Sequence, residues 1–302
     1  MPETSAAAAA SKHPTLLSPI PLFFVFLWSS GFIVAKFGLP YAPPLTFIAL
    51  RFLCVLAILV PVVLVLRAPW PHGKVRQIAL AGVLVHAGYL AGVWCAIKLG
   101  MPAGLSALIV GMQPILTAFA APLIGETVRP RQWLGLLFGI AGVALVVMAK
   151  IKLVGLSFEA IALCVLALLS ITIGTLYQKR QCPQFDLRTG TVIQFAACTA
   201  VIVPLAIIFE GMGPDFAAVQ WTPQFIGALA WSVLGVSIGA IFLLFALIRR
   251  SDATQVTSLL YLTPPTTALI AWLMFGEVFN ALGMAGMVLA VAGVFFVVSK
   301  PK

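Results

Sequence analysis

Short breaks with charged residues, proline or glycine divide the chain into ten apolar stretches. A helix needs about 20 apolar residues to cross the roughly 30 Å hydrocarbon core of a bilayer. The stretches cover residues 18–38, 43–66, 77–97, 103–123, 131–149, 154–177, 187–209, 223–247, 253–275 and 279–299. They predict an all-α polytopic membrane protein with ten transmembrane helices.

The composition excludes a soluble protein. Of the 302 residues, 62% are hydrophobic and 9% are charged, whereas soluble domains carry about 25% charged residues. The mean hydropathy of +1.13 equally argues against disorder of the whole chain. Residues 1–17 are alanine-rich and polar, and they are predicted to form a disordered cytoplasmic tail.

The distribution of basic residues predicts the orientation. With the amino terminus in the cytoplasm, 13 of the 18 lysines and arginines lie on the inner side and four on the outer side, while Arg51 falls inside the second helix. Cytoplasmic loops carry an excess of lysine and arginine, so both termini are predicted to be cytoplasmic. The net charge of +10 then reflects topology and indicates no nucleic-acid partner.

The chain contains an internal repeat. The segment from Gly104 onward aligns without gaps to the segment from Gln255 onward, 151 residues later. The alignment pairs Pro114 with Pro265, Glu126 with Glu277, Gly135 with Gly286, and Gly142 with Gly293.

A second register, shifted by 143 residues, aligns Thr46 to Pro61 with Thr189 to Pro204 and sets Arg51 opposite Gln194. Each half then holds five helices, and an odd number forces the second half to enter the membrane from the opposite side. We therefore predict a first repeat at 18–150 and a second, inverted repeat at 151–302. Inverted repeats are typical of secondary transporters, whose substrate sites lie between the repeats.

The motifs APLIGETV at 121–128 and WLMFGEVF at 272–279 end the two repeated proline-bearing helices. With ten helices in about 300 residues, this pattern resembles the drug/metabolite transporter superfamily, and in particular its EamA-type branch, which includes bacterial amino-acid and metabolite exporters. The resemblance implies a central cavity lined by the first four helices of each half, with the fifth and tenth helices to one side. It also implies transport by alternating access.

Several residues are candidates for the wall of a substrate cavity. His86, Tyr89 and Trp94 share one face of an ideal helix, although a hydrogen-bonded histidine between packed aromatic residues would give the same pattern. Arg51 would either bind a substrate carboxylate or extend its side chain toward the interface. Further aromatic and neutral polar candidates, which would serve as cavity wall or interfacial anchors, are Trp28, Ser30, Tyr177, Gln194 and Trp231.

The repeated prolines predict a hinge. Pro114 follows Gln113 in the fourth helix, and the equivalent face of the ninth helix offers Tyr261, Pro264 and Pro265. A proline within a helix leaves a carbonyl unpaired, which lipid does not tolerate unless a cavity or partner satisfies it. The alternative is that these prolines only bend the helices for packing.

Two glutamates are candidates for gates or for structural work at helix ends. Glu126 and Glu277 occupy equivalent positions and are predicted on opposite faces of the membrane. Glu277 precedes the tenth helix, where a carboxylate near a helix amino terminus is favoured by the helix dipole. Glu126 has Arg129 and Arg131 as possible partners.

Other chemistry lacks a sequence signal. Glu159 is the only carboxylate well inside a predicted helix, and the five cysteines form no metal-binding cluster. We therefore predict no metal, no cofactor and no enzymatic activity. Transport without ion coupling is one interpretation; coupling to a proton stays open, with His86 and Glu159 as the titratable candidates. The hypothesis is a multi-pass inner-membrane carrier that exports small metabolites, above all aromatic or neutral amino acids. The alternatives are a sugar-phosphate or nucleotide-sugar antiporter and a membrane-embedded enzyme; a monomer and a homodimer both stay open.

Overall fold

The computed structural model of the protein describes residues 19–120, 130–154, 156–182, 185–240, 243, 247 and 259–298. The predicted tail at 1–17 and the predicted gate residue Glu126 lie outside these residues.

Ten helices follow one another along the chain, and the described residues contain no strand. They are α1 Pro19–Gly38, α2 Pro44–Val65, α3 Val75–Lys98, α4 in two pieces (Ala103–Val110 and Gln113–Ala120), α5 Pro130–Val154, α6 Phe158–Gln181, α7 Leu187–Glu210, α8 Pro223–Gly239, α9 Thr263–Phe275 and α10 Ala281–Val298. The predicted all-α fold of two inverted five-helix repeats is confirmed.

Five helices, namely α1, α2, α3, α6 and α7, are long and apolar enough to cross a membrane. The apolar parts of α4, α5, α8 and α10 are shorter within the described residues. Each of the ten helices begins within about ten residues of a predicted stretch's start. The largest difference is at α9, which begins at Thr263 after a 3₁₀ turn over Leu260–Leu262.

The helix ends follow local rules of capping. The side chains of Ser157, Asp186 and Thr222 accept hydrogen bonds from the first turns of α6, α7 and α8, as is typical of amino-terminal caps. Gly211 and Gly276 terminate α7 and α9 with φ values of 65° and 64°, a left-handed conformation that costs glycine little.

The helices pack in a pattern that repeats itself between the two halves. Helices α2, α4 and α5 each pack against their own repeat counterparts, α7, α9 and α10. Helix α1 packs against α8 and α9, and its counterpart α6 packs against α3 and α4 in the same way. The largest interfaces therefore join one half to the other, which places any central site between the repeats.

Two repeat-related glycines allow α5 and α10 to approach closely. A Cβ atom on Gly142 would lie 2.5 Å from the carbonyl oxygen of Gly286, and one on Gly293 would lie 2.6 Å from that of Gly135. The two contacts are equivalent, because the 151-residue shift of the repeat relates Gly142 to Gly293 and Gly135 to Gly286. The helices cross backbone to backbone, as small residues permit in membranes, and this supports a scaffolding role for the α5–α10 pair.

Candidate functional site

Helices α3 and α8 both widen into π-helical turns, over Val83–Gly88 and Trp231–Gly239. The 151-residue repeat shift carries the first segment onto the end of the second. Such turns are rare in proteins, and where they occur they are often part of a functional site. Because these turns occur at the same place in both halves, α3 and α8 are candidates to form part of a functional site.

Each π-helical turn presents a polar side chain to a helix of the other half. The Arg51 Nε on α2 donates a hydrogen bond of 2.8 Å to the Ser237 Oγ on α8. The His86 Nε2 on α3 lies 3.3 Å from the Gln194 Oε1 on α7. Ser237 is the 151-residue repeat mate of His86, and Gln194 is the 143-residue repeat mate of Arg51. The two contacts are therefore copies of each other, and we call them the paired contacts.

Arg51 does not reach toward the interface, which was one of its two interpretations. The residue is 4% exposed, and its only hydrogen bond to the described residues is the one that Nε donates to the side chain of Ser237. A buried guanidinium with free donors is a group that can bind an anion.

His86 is held by neighbours on α7. Its ring stacks on Phe195 with centroids 5.1 Å apart. The Nε2 of Gln194 in turn donates a 2.8 Å hydrogen bond to the Gln178 Oε1 on α6. Gln194 itself is buried. This arrangement matches the alternative interpretation of His86 as a hydrogen-bonded histidine beside an aromatic ring.

A cavity of about 40 Å³ lies between the halves. Helices α1, α3 and α4 of the first half line it together with α6 and the start of α9 from the second half. Its lining residues are Trp28, Phe32, Tyr89, Ala107, Val110, Gly111, Gln113, Pro114, Ile171, Leu260 and Thr263. Four predicted site residues thus meet here, Trp28, Tyr89, Gln113 and Pro114.

Thr263 is a cavity residue that sequence reasoning missed. Its Oγ1 atom is inaccessible to solvent and lacks a hydrogen-bond partner among the described residues. Gln113, by contrast, already donates a 2.9 Å bond to the Thr175 Oγ1 on α6. Because native structures rarely leave such an atom unpaired without a reason, the Thr263 hydroxyl is a ready binding group for a ligand.

The repeated prolines lie at two helix breaks that touch each other. Helix α4 is interrupted at Gly111–Met112, just before Pro114. Pro264 and Pro265 lie in the first turn of α9, where a missing N–H costs nothing, and not in mid-helix as predicted. A Cβ on Gly111 would lie 2.8 Å from the Pro264 Cγ, so the two breaks are in direct contact. Tyr261 lies in the 3₁₀ turn before α9, and its side chain is outside the described residues.

Trp94 is placed differently from its sequence interpretation. It is 1% exposed, and its ring packs against Phe47 with centroids 4.5 Å apart, in the core and away from the cavity lining. The π-helical turn supplies the physical reason. A wider turn holds more residues than an α-turn and so rotates everything after it, which removes Trp94 from the face that an ideal helix gives it.

The remaining aromatic candidates lie outside the cavity lining. The Trp231 Nε1 donates a 2.8 Å hydrogen bond to the Ser30 Oγ and thereby joins α8 to α1. Trp231 is 39% exposed, whereas Ser30 is buried. Tyr177 is half-buried near the end of α6.

Glu277 joins three elements at one end of the bundle. Its Oε1 accepts hydrogen bonds from the Lys36 Nζ at 2.6 Å and from the Ala103 backbone N–H at 3.1 Å, and its Oε2 lies 3.4 Å from the Gly104 nitrogen. We call this cluster the latch, and the end of the bundle that contains it the latch end. The cap residue of α4 is Pro102, which has no side-chain cap of its own. The carboxylate of the second half therefore caps a helix of the first.

This placement corrects the expectation that Glu277 serves the start of α10. That helix is capped instead by Asn280, whose Oδ1 accepts a 2.8 Å bond from the Gly283 N–H. Glu277 follows Gly276, which adopts a left-handed conformation. The chain turns at this glycine, and the Glu277 side chain therefore reaches across the interface to α4. The loop geometry that causes this is not visible in the local sequence.

Glu210 makes an equivalent contact at the latch end, and sequence reasoning missed it. Its carboxylate accepts bonds from the Leu45 N–H at 2.8 Å and the Thr46 N–H at 2.7 Å, at the start of α2. The cap residue of α2 is Pro43, which again provides no side-chain cap. The available signal was the proline before each of the two helices, because their amino termini then need an acceptor from elsewhere.

The latch yields a graded prediction for stability. Glu277→Ala leaves Lys36 and the α4 amides without their acceptor, and we expect it to lower the free energy of unfolding by about 1–3 kcal/mol. Glu277→Gln keeps an acceptor oxygen for α4 and loses only the ion pair, so the expected loss is about half as large. The apparent unfolding temperature of the purified protein in detergent measures both effects.

A charge swap and a loop variant serve as controls. Lys36→Glu combined with Glu277→Lys restores opposite charges but provides no acceptor for the α4 amides, so it should not recover wild-type stability. Asp215→Ala alters a loop carboxylate whose one contact is a 3.4 Å bond to the Ala217 N–H, and it should stay within about 0.5 kcal/mol of the wild type. Full recovery by the swap contradicts the capping role of Glu277.

Comparison with known proteins agrees with this architecture. The model of the EamA-like transporter family matches residues 20–148 and again residues 158–299. A Bacillus subtilis (strain 168) protein named "Uncharacterized transporter YvbV" is 28% identical over 293 residues, covering 93% of this chain and 90% of its own. A Salmonella typhimurium (strain LT2) protein named "Probable amino-acid metabolite efflux pump" is 27% identical over 285 residues, covering 91% and 92%.

A solved structure, titled only as the crystal structure of a protein, shares the fold. Its TM-score is 0.62 at 20% sequence identity, and the match covers 92% of this chain and 94% of the other. The family match, in contrast, rests on sequence and spans both halves of the chain. The protein is therefore a member of the EamA-like transporter family, built as a multi-pass membrane protein.

Proposed function

We propose that this protein is a secondary carrier that exports small metabolites, above all amino acids with aromatic or neutral side chains, across the bacterial inner membrane. The observation that carries the proposal is the cavity between two inverted halves, which the paired contacts join. Sites between inverted repeats suit alternating access, in which one half rocks against the other. The efflux-pump name of the Salmonella typhimurium relative supports the substrate class.

The chemistry of the cavity supports a neutral or zwitterionic substrate. Its wall combines the aromatic rings of Trp28 and Tyr89 with the neutral polar groups of Gln113 and Thr263. Binding sites for small molecules have this mixture of apolar wall and few polar groups. No acidic side chain and no histidine belongs to the described lining, which supports transport without a coupled proton.

The positions of the basic residues argue against a phosphorylated substrate. A phosphate site would require several basic side chains that converge within the membrane, but Arg51 is the only buried lysine or arginine among the described residues. Lys36 is paired with Glu277. A sugar-phosphate antiporter therefore has less support than an amino-acid carrier.

The proposed orientation places the latch end outside the cell. The support is the excess of lysine and arginine in the loops at the other end of the bundle. In this orientation the latch is an outer gate, both termini are cytoplasmic, and the breaks at Gly111 and Pro264 are the hinge about which the halves move. Opening outward requires that Glu277 release α4.

Reconstitution tests the proposed function directly. Liposomes containing the purified protein should take up labelled L-leucine and L-phenylalanine in a saturable way, and preloaded unlabelled amino acid should accelerate the uptake. A carrier shows such acceleration because the loaded form returns to the other side faster than the empty form. An imposed pH gradient should leave the rate unchanged. Uptake of labelled glucose 6-phosphate without uptake of either amino acid contradicts the proposal.

Thr263 provides a prediction in which binding and stability change in opposite directions. Thr263→Val removes a buried hydroxyl that has no partner, so it should leave the substrate-free protein as stable as the wild type or about 1 kcal/mol more stable. If the hydroxyl binds the transported compound, KM should rise about fivefold, because that bond is lost. Uptake kinetics and unfolding temperature give the two values.

Thr267→Val is the matched control for this variant. The Thr267 Oγ1 lies one turn further along α9 and donates a 3.4 Å bond to the backbone carbonyl of Ser29. Its loss should lower stability slightly and leave KM near the wild-type value. Thr263→Val with unchanged KM and reduced stability contradicts a binding role for Thr263.

A further inference from the structure

Arg51 carries donors that nothing in the described residues uses. The residue is 4% exposed, and its Nε atom is fixed by the Ser237 Oγ at 2.8 Å. The four N–H groups on its two terminal nitrogens form no hydrogen bond to the described part of the chain. A planar guanidinium held at Nε presents these groups as a fork that matches the two oxygens of a carboxylate.

No acidic residue of the described chain neutralises Arg51. Its five carboxylates all have other positions or partners: Glu159 is exposed at the start of α6, Asp186 pairs with Arg188, Glu210 caps α2, Asp215 lies in the α7–α8 loop and Glu277 pairs with Lys36. A charge inside a membrane protein that lacks a partner is costly and is retained where it has a function. Among the described residues, Arg51 thus has neither a carboxylate that neutralises its charge nor an acceptor for its terminal donors.

The repeat indicates that packing does not need this charge. Gln194 occupies the equivalent position in the second half and contacts His86 as Arg51 contacts Ser237. A neutral amide therefore suffices to join the halves at this position. The difference between the two paired contacts lies in their chemistry, since one is cationic and the other is neutral.

Tyr89 connects Arg51 to the cavity. Tyr89 lies in the cavity lining on α3, and α3 packs against α2, the helix that carries Arg51. The Tyr89 hydroxyl, too, forms no hydrogen bond to the described residues. A compound in the cavity meets Tyr89 and Thr263, and Arg51 lies on the neighbouring helix α2.

We propose that Arg51 is the anion-binding subsite of the carrier and holds the carboxylate of the transported compound, with Ser237 fixing the guanidinium in the required orientation. This inference rests on the proposed function and names the group by which the site recognises its substrate. A carboxylic compound neutralises the buried charge while it is bound. Amines of the same shape lack that group and bind more weakly.

Binding to the purified protein tests the subsite without relying on transport. The probes are L-leucine with isopentylamine and L-phenylalanine with 2-phenylethylamine, two pairs that differ only in the carboxylate, together with glucose 6-phosphate as a phosphate anion. Dissociation constants come from the ligand-dependent rise in unfolding temperature. The wild type should bind each amino acid about tenfold or more tightly than its amine, since hydrogen bonds to charged groups are strong.

The variants separate the subsite from a structural role. Arg51→Gln reproduces the residue of the second half, so it should fold, and it should bind amino acid and amine equally. Arg51→Lys keeps the charge without the fork and should retain part of the preference. Ser237→Ala should weaken the preference in the same direction. Lys98→Gln is the matched control, because it removes a cation that only donates to the Leu39 carbonyl at 3.2 Å, and it should leave every constant within about twofold.

The outcomes distinguish this inference from the proposed function. Equal binding of acid and amine by the wild type, or a preference that survives in Arg51→Gln, overturns the subsite even when liposome transport of amino acids succeeds. A preference that Arg51→Gln abolishes supports the subsite even when liposome transport fails. If glucose 6-phosphate binds more tightly than both amino acids and this binding is lost in Arg51→Gln, then Arg51 binds an anion, but the proposal that this anion is a carboxylate is overturned. If Arg51→Gln does not fold, Arg51→Lys and Ser237→Ala provide the test. An unchanged preference for the amino acid over its amine in these two variants overturns the subsite.

Discussion

Hydrocarbon provides no water to satisfy a polar group, and this chain meets that constraint largely across the boundary between its two halves. Helices α2 and α4 begin after prolines that cannot cap them, and carboxylates of the second half, Glu210 and Glu277, accept their amide hydrogens. The paired contacts and the bond from Trp231 to Ser30 cross the same boundary. The halves therefore depend on each other for stability, and every motion between them breaks or exchanges such bonds.

The repeat is symmetric in its backbone and asymmetric in its chemistry. Both halves contain a π-helical turn, a proline beside a helix break and a polar side chain that reaches across to the other half. Yet Arg51 faces Ser237 in one contact while Gln194 faces His86 in the other. In the proposed carrier, symmetry would provide two equivalent conformations, and the difference in charge would give the substrate one preferred orientation.

Much of the fold could be predicted from the sequence, because lipid demands helices and the apolar stretches are long. The repeat registers even identified Arg51 with Gln194 as equivalent positions. The contacts could not be predicted, because the partner of Arg51 depends on how α2 packs against α8 in the other half. The π-helical turns leave no local signature, so an ideal helix does not predict the packing of Trp94 against Phe47. The left-handed turn at Gly276, which brings Glu277 to α4, has no local signature either.

The central claim is that the two halves rock against each other, so that one end of the bundle opens as the other closes. Distances between pairs of spin labels, measured by pulsed electron paramagnetic resonance, test it most directly. The labels are attached to introduced cysteines after the five native cysteines have been replaced. One label pair, at Leu99 and Phe209, reports on the latch end, and a second pair, at Leu66 and Arg180, reports on the opposite end; all four positions are exposed. When Glu277→Gln weakens the latch, the first distance should lengthen while the second shortens. A change confined to the latch end, or no change at either end, contradicts the account.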